Sequence, residues 1–247
     1  MKFEFKIQFS WLNILIVLNI LMFLVANLLL SMSPSSRASY DLVSLIGGFD
    51  YQMVSVGQVW LLITSGFLHF DLFHILINMY SLYRLGSIVT NFYNEKVLAL
   101  TYILGSLGGS LLTFVIFFSE RVIFQTNTNI LSVGASSGIF ALMGLLLGGT
   151  LRRSRFGVSF PFSFEDIIPL VLFSLFFGLM PGTNINNWAH LGGLITGLLL
   201  GLLLPHALGY RNNFSKSLEN IIYKISFLLA GLSFLALIIN FIFVIFL

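Results

Sequence analysis

The stretch that decides the fold is Trp11–Ser31, WLNILIVLNILMFLVANLLLS, which contains no charged side chain. A helix needs about 20 consecutive apolar residues to cross a bilayer, and this stretch supplies that length. It is also longer than the apolar region of about 7–15 residues in a cleaved signal peptide. The sequence therefore predicts a retained transmembrane helix at this end of the chain.

The remainder of the chain has the same apolar character. Of its 247 residues, 57% are hydrophobic and 9% are charged, whereas a soluble domain contains about 25% charged residues. The 27 phenylalanines argue against disorder. The absence of cysteine excludes disulfides, thiolate catalysis and cysteine-ligated zinc. A net charge of only +3 gives no sign of a nucleic-acid-binding surface. We therefore predict a polytopic helical membrane protein that binds no nucleic acid.

Stretches with few or no charges predict the individual membrane spans, and Asp71 and Arg84 lie near the ends of the second. A long loop over 32–68 follows the first span, and Pro181-Gly182 and Pro205 would end the fifth and sixth. No internal repeat or soluble appendage is visible. We predict an all-α bundle in a single domain, 1–247, with seven spans at residues 11–31, 69–90, 97–118, 136–151, 167–180, 187–204 and 221–247.

The distribution of lysine and arginine predicts the orientation, because these residues are enriched in cytoplasmic loops. If the N-terminus is cytoplasmic, only Arg37 and Arg121 lie outside. The other ten lie inside, namely Lys2, Lys6, Arg84, Lys96, Arg152, Arg153, Arg155, Arg211, Lys216 and Lys224. This bias predicts an N-terminus inside and a C-terminus outside.

Polar groups within the predicted spans point to a functional site, since such groups are costly in a membrane. The second span carries His74 and Asn78, the fourth begins at Ser136, and the sixth carries His190. In the predicted orientation all three spans run from outside to inside. The four side chains therefore lie at a similar depth in the outer half of the membrane, as an intramembrane site requires.

The fourth predicted span is short. Its 16 residues cover about 24 Å, less than the hydrocarbon thickness of about 30 Å. We therefore expect Ser136 to start a helix below the outer surface, where free backbone N–H groups favour negative charge. Small residues spaced by four in the fourth and sixth spans would let the two helices approach closely. These are Gly144, Gly148, Ala189, Gly193, Gly197 and Gly201.

The same residues also allow other interpretations. Gly134-x-Ser136-x-Gly138 matches the pattern of a nucleophile elbow, but the acids between this serine and His190 are Glu165 and Asp166, on the predicted cytoplasmic side. An isolated serine in a membrane helix usually bonds to its own backbone. A lone histidine more often packs in a core or relays protons. Only partner residues make a catalytic interpretation preferable.

A metal site is not expected. His69 and His74 are both assigned to the second span and are five residues apart, or about 140° around a helix. That angle is poor for two ligands of one ion, and no nearby acid completes a ligand set.

Three motifs resemble those of the rhomboid intramembrane serine proteases. The first is Trp60-Leu61-Leu62-Ile63-Thr64-Ser65-Gly66-Phe67-Leu68-His69, continuing through His74 to Asn78. The second is Gly134-Ala135-Ser136-Ser137-Gly138-Ile139-Phe140-Ala141-Leu142-Met143-Gly144, and the third is Ala189-His190-Leu191-Gly192-Gly193 with Gly197. The similarity covers about 55–205. It implies a six-helix core over about 11–205, with an extra C-terminal helix at about 221–247.

The resemblance implies a serine–histidine dyad without an acid. Ser136 would be the nucleophile and His190 the general base and acid, while His74 and Asn78, with the Ser136 N–H, would bind the oxyanion. Phe140 would support the His190 ring, with Gly134, His69 and Gly193 as further supporting residues. The implied reaction is hydrolysis of a peptide bond in or near a substrate's transmembrane segment, without metal or cofactor. Span five and its adjoining loop would be the lateral gate.

Two positions depart from the family pattern. Ser137 stands where the family usually has glycine, and Leu61 stands where it often has arginine. Neighbouring residues are about 100° apart on a helix, so only one of Ser136 and Ser137 can face His190. We choose Ser136 because it aligns with the family motif and shares a helix face with Phe140.

Two alternatives belong to other functional classes. One is a catalytically silent rhomboid-like scaffold that binds transmembrane helices. The other is a transporter or proton-coupled channel. Two features argue against it, because no carboxylate is predicted mid-membrane and no inverted repeat is visible. The expected partners are transmembrane substrates and the lipid bilayer. Short tails and the lack of a transit peptide lead us to expect the plasma membrane of a bacterium.

Overall fold

The computed structural model describes residues 10–32, 42–126, 129–156, 164–180, 183, 185–205 and 213–246. Long helices dominate these ranges, and each overlaps one predicted span. In chain order they are α1 (Trp11–Ser31), α2 (Leu72–Phe92), α3 (Glu95–Phe124), α4 (Ser136–Phe156), α5 (Phe164–Phe177), α6 (Asn187–Leu203) and α7 (Asn213–Phe246). The predicted all-α membrane bundle is confirmed.

Helix boundaries differ from the predicted spans where charges occur. Helix α3 begins at Glu95 because the Asn94 side chain accepts a hydrogen bond from Val97 N–H at 2.9 Å. Helix α4 is 21 residues long and ends at Phe156, five residues beyond the predicted span. Its apolar part ends at Arg152. A charge ends an apolar stretch but not the backbone hydrogen bonds of a helix, which explains both extensions.

The helices differ in the length of their apolar part. Helices α1, α2, α3 and α7 are long and apolar enough to cross a membrane, whereas the apolar helices Ser136–Arg152 and Asn187–Leu203 are shorter. Helix α4 is the centre of the bundle, since every residue from 137 to 150 is buried. The number of spans that cross the bilayer, their orientation and the single-domain organisation stay predictions. Pro181 and Gly182, expected to end span five, lie outside the described residues.

The predicted glycine spacing corresponds to a close crossing of α4 and α6. A Cβ built at Gly197 would collide with the carbonyl oxygen of Ala141, and one at Gly201 would collide with that of Leu145. In the opposite direction, a Cβ at Gly144 would collide with the carbonyl oxygen of Leu194. The two backbones therefore touch directly, as small residues permit in membrane helices.

The loop between α1 and α2 is structured over its described part. It contains the short helices Tyr51–Ser55 and Leu61–Thr64 and a 3₁₀ turn, Ser65–Phe67. It also contains β1 (Phe49–Asp50), which pairs antiparallel with β2 (Leu131–Ser132), Phe49 lying opposite Ser132. This two-stranded sheet, which the sequence did not predict, connects the loop to the segment just before Ser136.

Helix α7 packs along the bundle from the start of α1 to this loop. Trp11 contacts Phe227 with ring centroids 4.5 Å apart, and Asn94 donates to the Glu219 carboxylate at 2.9 Å. Farther along, Phe234 contacts Phe67 edge-on at 5.2 Å. The helix therefore touches the 3₁₀ turn of the loop as well as the opposite end of the bundle.

Candidate active site

The candidate site begins with a serine and a histidine on the two helices that cross most closely. Ser136 Oγ and His190 Nε2 lie 2.9 Å apart. Ser136 is the half-buried first residue of α4, and His190 is buried in the first turns of α6. Gly193 permits this approach, because a Cβ there would collide with the carbonyl oxygen of Ser137.

The other nitrogen of the histidine has no acidic partner among the described residues. His190 Nδ1 is buried and makes no hydrogen bond there. Instead, the ring of Phe140 stacks on the imidazole, with centroids 4.2 Å apart and planes 12° apart. Such a contact contributes about 0.5–1.5 kcal/mol beyond burial. A flat aromatic surface, rather than a carboxylate, therefore supports the His190 ring.

The neighbouring serine points elsewhere. Ser137 is buried, and its Cβ is 2.6 Å from a Cβ built at Gly109 of α3. Ser136 rather than Ser137 is thus within hydrogen-bond distance of His190. The choice of Ser136 as the nucleophile stays a prediction, and this distance is an argument for it.

The backbone just before Ser136 lies against the two polar side chains of α2. Gly134 has φ of +137°, in the region that favours glycine. A Cβ there would be 2.8 Å from His74 Nε2 and 3.7 Å from Asn78 Nδ2. Asn78 Nδ2 is buried and has no hydrogen-bond partner within the described ranges. Beside Ser136 there is therefore a buried N–H donor that no acceptor in the described part of the chain satisfies.

His69 is in a different place from the one the sequence predicted. It precedes α2, which begins at Leu72 after the Asp71 carboxylate accepts a hydrogen bond from His74 N–H at 2.8 Å. The chain folds back before this cap, so the His69 and His74 rings meet edge-on with centroids 4.9 Å apart. His69 Nε2 accepts a hydrogen bond from Ala135 N–H at 3.4 Å. The predicted separation of 140° around one helix is therefore wrong.

The family of this chain follows from comparison with known proteins. The sequence model of the Rhomboid domain matches residues 56–207. The chain belongs to the rhomboid family. It is accordingly a multi-pass membrane protein.

Curated relatives of this rhomboid include plant and bacterial proteins. RHOMBOID-like protein 1 of Arabidopsis thaliana is 28% identical over 84% of this chain and 57% of its own length. RHOMBOID-like protein 6, mitochondrial, of the same plant is 29% identical over 70% of this chain and 52% of its own length. Rhomboid protease GluP of Bacillus subtilis (strain 168) is 30% identical over 88% of this chain and 39% of its own length. The rhomboid therefore spans roughly two to three fifths of these relatives.

Asn186 also holds the site of this rhomboid together, although no role is predicted for it. It caps α6 by accepting from Ala189 N–H at 3.2 Å. Its Nδ2 donates to Thr113 Oγ1 at 3.0 Å and to Ser132 Oγ at 3.2 Å. Asn186 thus joins the helix of His190 to α3 and β2. The available signal was an asparagine at the start of an apolar helix, a preferred capping residue.

Within the described part of the rhomboid, no three histidine, aspartate or glutamate side chains converge to hold a metal ion. Glu165 and Asp166 are both exposed at the start of α5. The expected lack of metal and cofactor stays a prediction. Chemically, the arrangement offers a hydroxyl, a base 2.9 Å from it and a nearby amide donor.

Proposed function

We propose that this rhomboid is an intramembrane serine protease, which hydrolyses peptide bonds in or near transmembrane segments of membrane-protein substrates. The observation that carries the proposal is the distance of 2.9 Å between Ser136 Oγ and His190 Nε2. It lies within the reach that a general base needs to remove a proton from a nucleophile. Ser136 is the proposed nucleophile and His190 the proposed general base and acid.

The proposed reaction has two stages. His190 Nε2 takes the hydroxyl proton as Ser136 Oγ attacks the substrate carbonyl carbon, forming an anionic tetrahedral intermediate. The intermediate collapses when His190 returns the proton to the leaving amine, which breaks the peptide bond and leaves an acyl-serine. A water molecule then attacks the acyl carbonyl and gives a proton to His190. When the bond between the acyl carbon and Ser136 Oγ breaks, His190 returns that proton to the oxygen, which releases the second product and free Ser136.

Negative charge on the oxygen of the intermediate needs donors. We assign this role to Asn78 Nδ2, His74 and the Ser136 N–H. The buried Asn78 donor supports the assignment, because it has no protein acceptor among the described residues. The N-terminus of α4 adds favourable dipoles. Pre-arranged donors of this kind stabilise the transition state because they need no reorganisation during the reaction.

We assign the lateral gate to α5. Of its described side chains, only Ile167 and Val171 are buried. Pro169 lies inside this helix and donates no backbone hydrogen bond. Helix α5 is therefore held by few apolar contacts, as an element that moves aside for a substrate helix should be.

The experiment uses the purified full chain in liposomes with a single-span substrate that has a small residue before the intended cut. Wild-type protein should cleave it, and Ser136→Ala and His190→Ala should each abolish cleavage. Ser137→Ala is the matched control and should retain it. Addition of a chelator should change nothing. A folded wild-type protein that cleaves none of several substrates would instead favour a silent scaffold, and transport insensitive to Ser136→Ala would favour a transporter.

We also propose that the protein resides in the plasma membrane of a bacterium with its C-terminus outside. A reporter active only outside the cytoplasm, fused after residue 247, should be active in bacterial cells. The same reporter fused at residue 209, in the segment between α6 and α7, should be silent. The reverse result would invert the proposed orientation.

A further inference from the structure

A buried tyrosine that the proposed reaction does not use joins three parts of the fold. Tyr102 of α3 is fully buried. Its hydroxyl donates to the carbonyl oxygen of Gly66, in the 3₁₀ turn, at 2.7 Å and accepts from Asn19 Nδ2 of α1 at 2.9 Å. Both hydrogen bonds are made away from water, where leaving a partner unsatisfied is costly.

The turn that Tyr102 holds is itself bonded to the segment before Ser136. The carbonyl oxygen of Ser65 accepts a hydrogen bond from Gly134 N–H at 3.0 Å. Gly134 is the residue whose backbone lies against His74 and Asn78. The Tyr102 hydroxyl therefore binds the carbonyl of Gly66, and the carbonyl of the preceding residue, Ser65, binds Gly134.

The ring of Tyr102 lies against the backbone that follows Ser136 in the chain. A Cβ built at Gly138 would be 2.8 Å from Tyr102 Cδ2 and 3.0 Å from Cε2. Gly138 lies two residues after Ser136, in the first turn of α4. One side chain thus supports the backbone both before and after the proposed nucleophile.

We propose that Tyr102 is a positioning residue, which holds the segment from Gly134 to Gly138 in the geometry needed for attack by Ser136. The inference rests on the proposed function. Tyr102 is buried and does not line the site, so it acts on the reaction step rather than on substrate binding. Its hydroxyl should therefore affect kcat and leave KM unchanged.

The chain offers a matched control in a second buried tyrosine. The Tyr93 hydroxyl donates to the carbonyl oxygen of Leu145 at 3.3 Å, and Tyr93 is 3% exposed. Leu145 lies nine residues after Ser136, which is about 13 Å along α4. Tyr93→Phe removes a buried hydroxyl from the same kind of acceptor, but far from the site.

The experiment compares wild type, Tyr102→Phe and Tyr93→Phe in liposomes, by thermal unfolding, by kcat and KM, and by the rate of labelling with a fluorophosphonate. Both variants should lower the unfolding temperature. Only Tyr102→Phe should lower kcat and the labelling rate, by about tenfold with KM unchanged, since small displacements of reacting groups cost up to about 100-fold. Tyr93→Phe should stay within about twofold of wild type, which is under 0.5 kcal/mol of activation free energy.

Equal loss of kcat in the two variants, or a change confined to KM, would overturn the inference. Failure of the proposed function looks different, because wild type itself would neither cleave nor react. If Tyr102→Phe does not fold, Asn19→Leu carries the test, since it removes the amide that donates to the same hydroxyl. It should lower kcat with KM unchanged, and an unchanged kcat would count against the role of Tyr102.

Discussion

Replacing Gly197 by alanine adds one methyl group at the crossing of α4 and α6. A Cβ there collides with the carbonyl oxygen of Ala141 and lies 2.6 Å from its carbonyl carbon and 2.7 Å from its Cα. Carbon atoms pack at about 3.5–4.0 Å, so the two helices must separate by about 1 Å. The obstacle is backbone and not a flexible side chain. Overpacking of this kind destabilises a protein by about 1–3 kcal/mol.

The separation of the two helices also displaces the candidate site, because α4 carries Ser136 and α6 carries His190. Gly197 lies seven residues after His190, and Ala141 lies five residues after Ser136. Adding about 1 Å to the distance of 2.9 Å between Ser136 Oγ and His190 Nε2 exceeds the limit for a hydrogen bond, about 3.2 Å. A displacement of that size lowers the rate of an enzyme by about 100-fold. We therefore expect Gly197→Ala to lose about two orders of magnitude in kcat.

The matched control is Gly231→Ala in α7. Gly231 is exposed, and a Cβ there has no neighbour within 4 Å. Alanine should leave cleavage unchanged and stabilise the helix by about 1 kcal/mol. The assay is thermal unfolding of purified protein together with cleavage of a single-span substrate in liposomes. If Gly197→Ala matches Gly231→Ala in both, the reasoning from the close helix crossing is wrong.

Four further outcomes are expected. Asn78→Ala should lower kcat by about 100-fold without lowering the unfolding temperature, because it removes a buried donor that has no acceptor among the described residues; unchanged cleavage would exclude it as an oxyanion donor. Phe140→Leu should lower kcat by about tenfold through loss of ring stacking, and an unaffected rate would refute that support. Gly134→Ala should lower both unfolding temperature and fluorophosphonate labelling, since φ is +137° and the Cβ meets His74; full labelling would contradict this. Overnight dialysis against a chelator should leave cleavage intact, whereas recovery on adding metal would show a metal requirement.

Features that depend on local pattern could be predicted from the sequence. Stretches with few or no charges located the seven long helices of the described residues, because a long apolar run in a membrane protein has few other structures. The spacing of Gly193, Gly197 and Gly201 indicated which face of α6 meets α4, because residues four apart share a helix face. Those two facts were sufficient to expect Ser136 near His190.

Features that depend on contacts between distant segments could not be predicted. Strands β1 and β2 contain two residues each and pair across about 80 residues, so neither shows an alternating pattern. The apolar pattern places His69 on α2, although Asp71, a preferred N-cap residue, starts the helix two residues later. The hydrogen bond that His69 accepts from Ala135 joins segments 66 residues apart and leaves no mark in the sequence. Tyr102 resembles any aromatic residue in a membrane helix until Gly66 and Asn19 are seen beside its hydroxyl.

The most direct test of the central claim is to find where a fluorophosphonate attaches to the folded, full-length protein, by peptide mass spectrometry. We expect a single adduct at Ser136, which persists in Ser137→Ala and is lost in His190→Ala because the base is missing. An adduct at Ser137, or equal labelling in His190→Ala, would contradict the Ser136–His190 dyad. So would a folded wild-type protein that acquires no adduct.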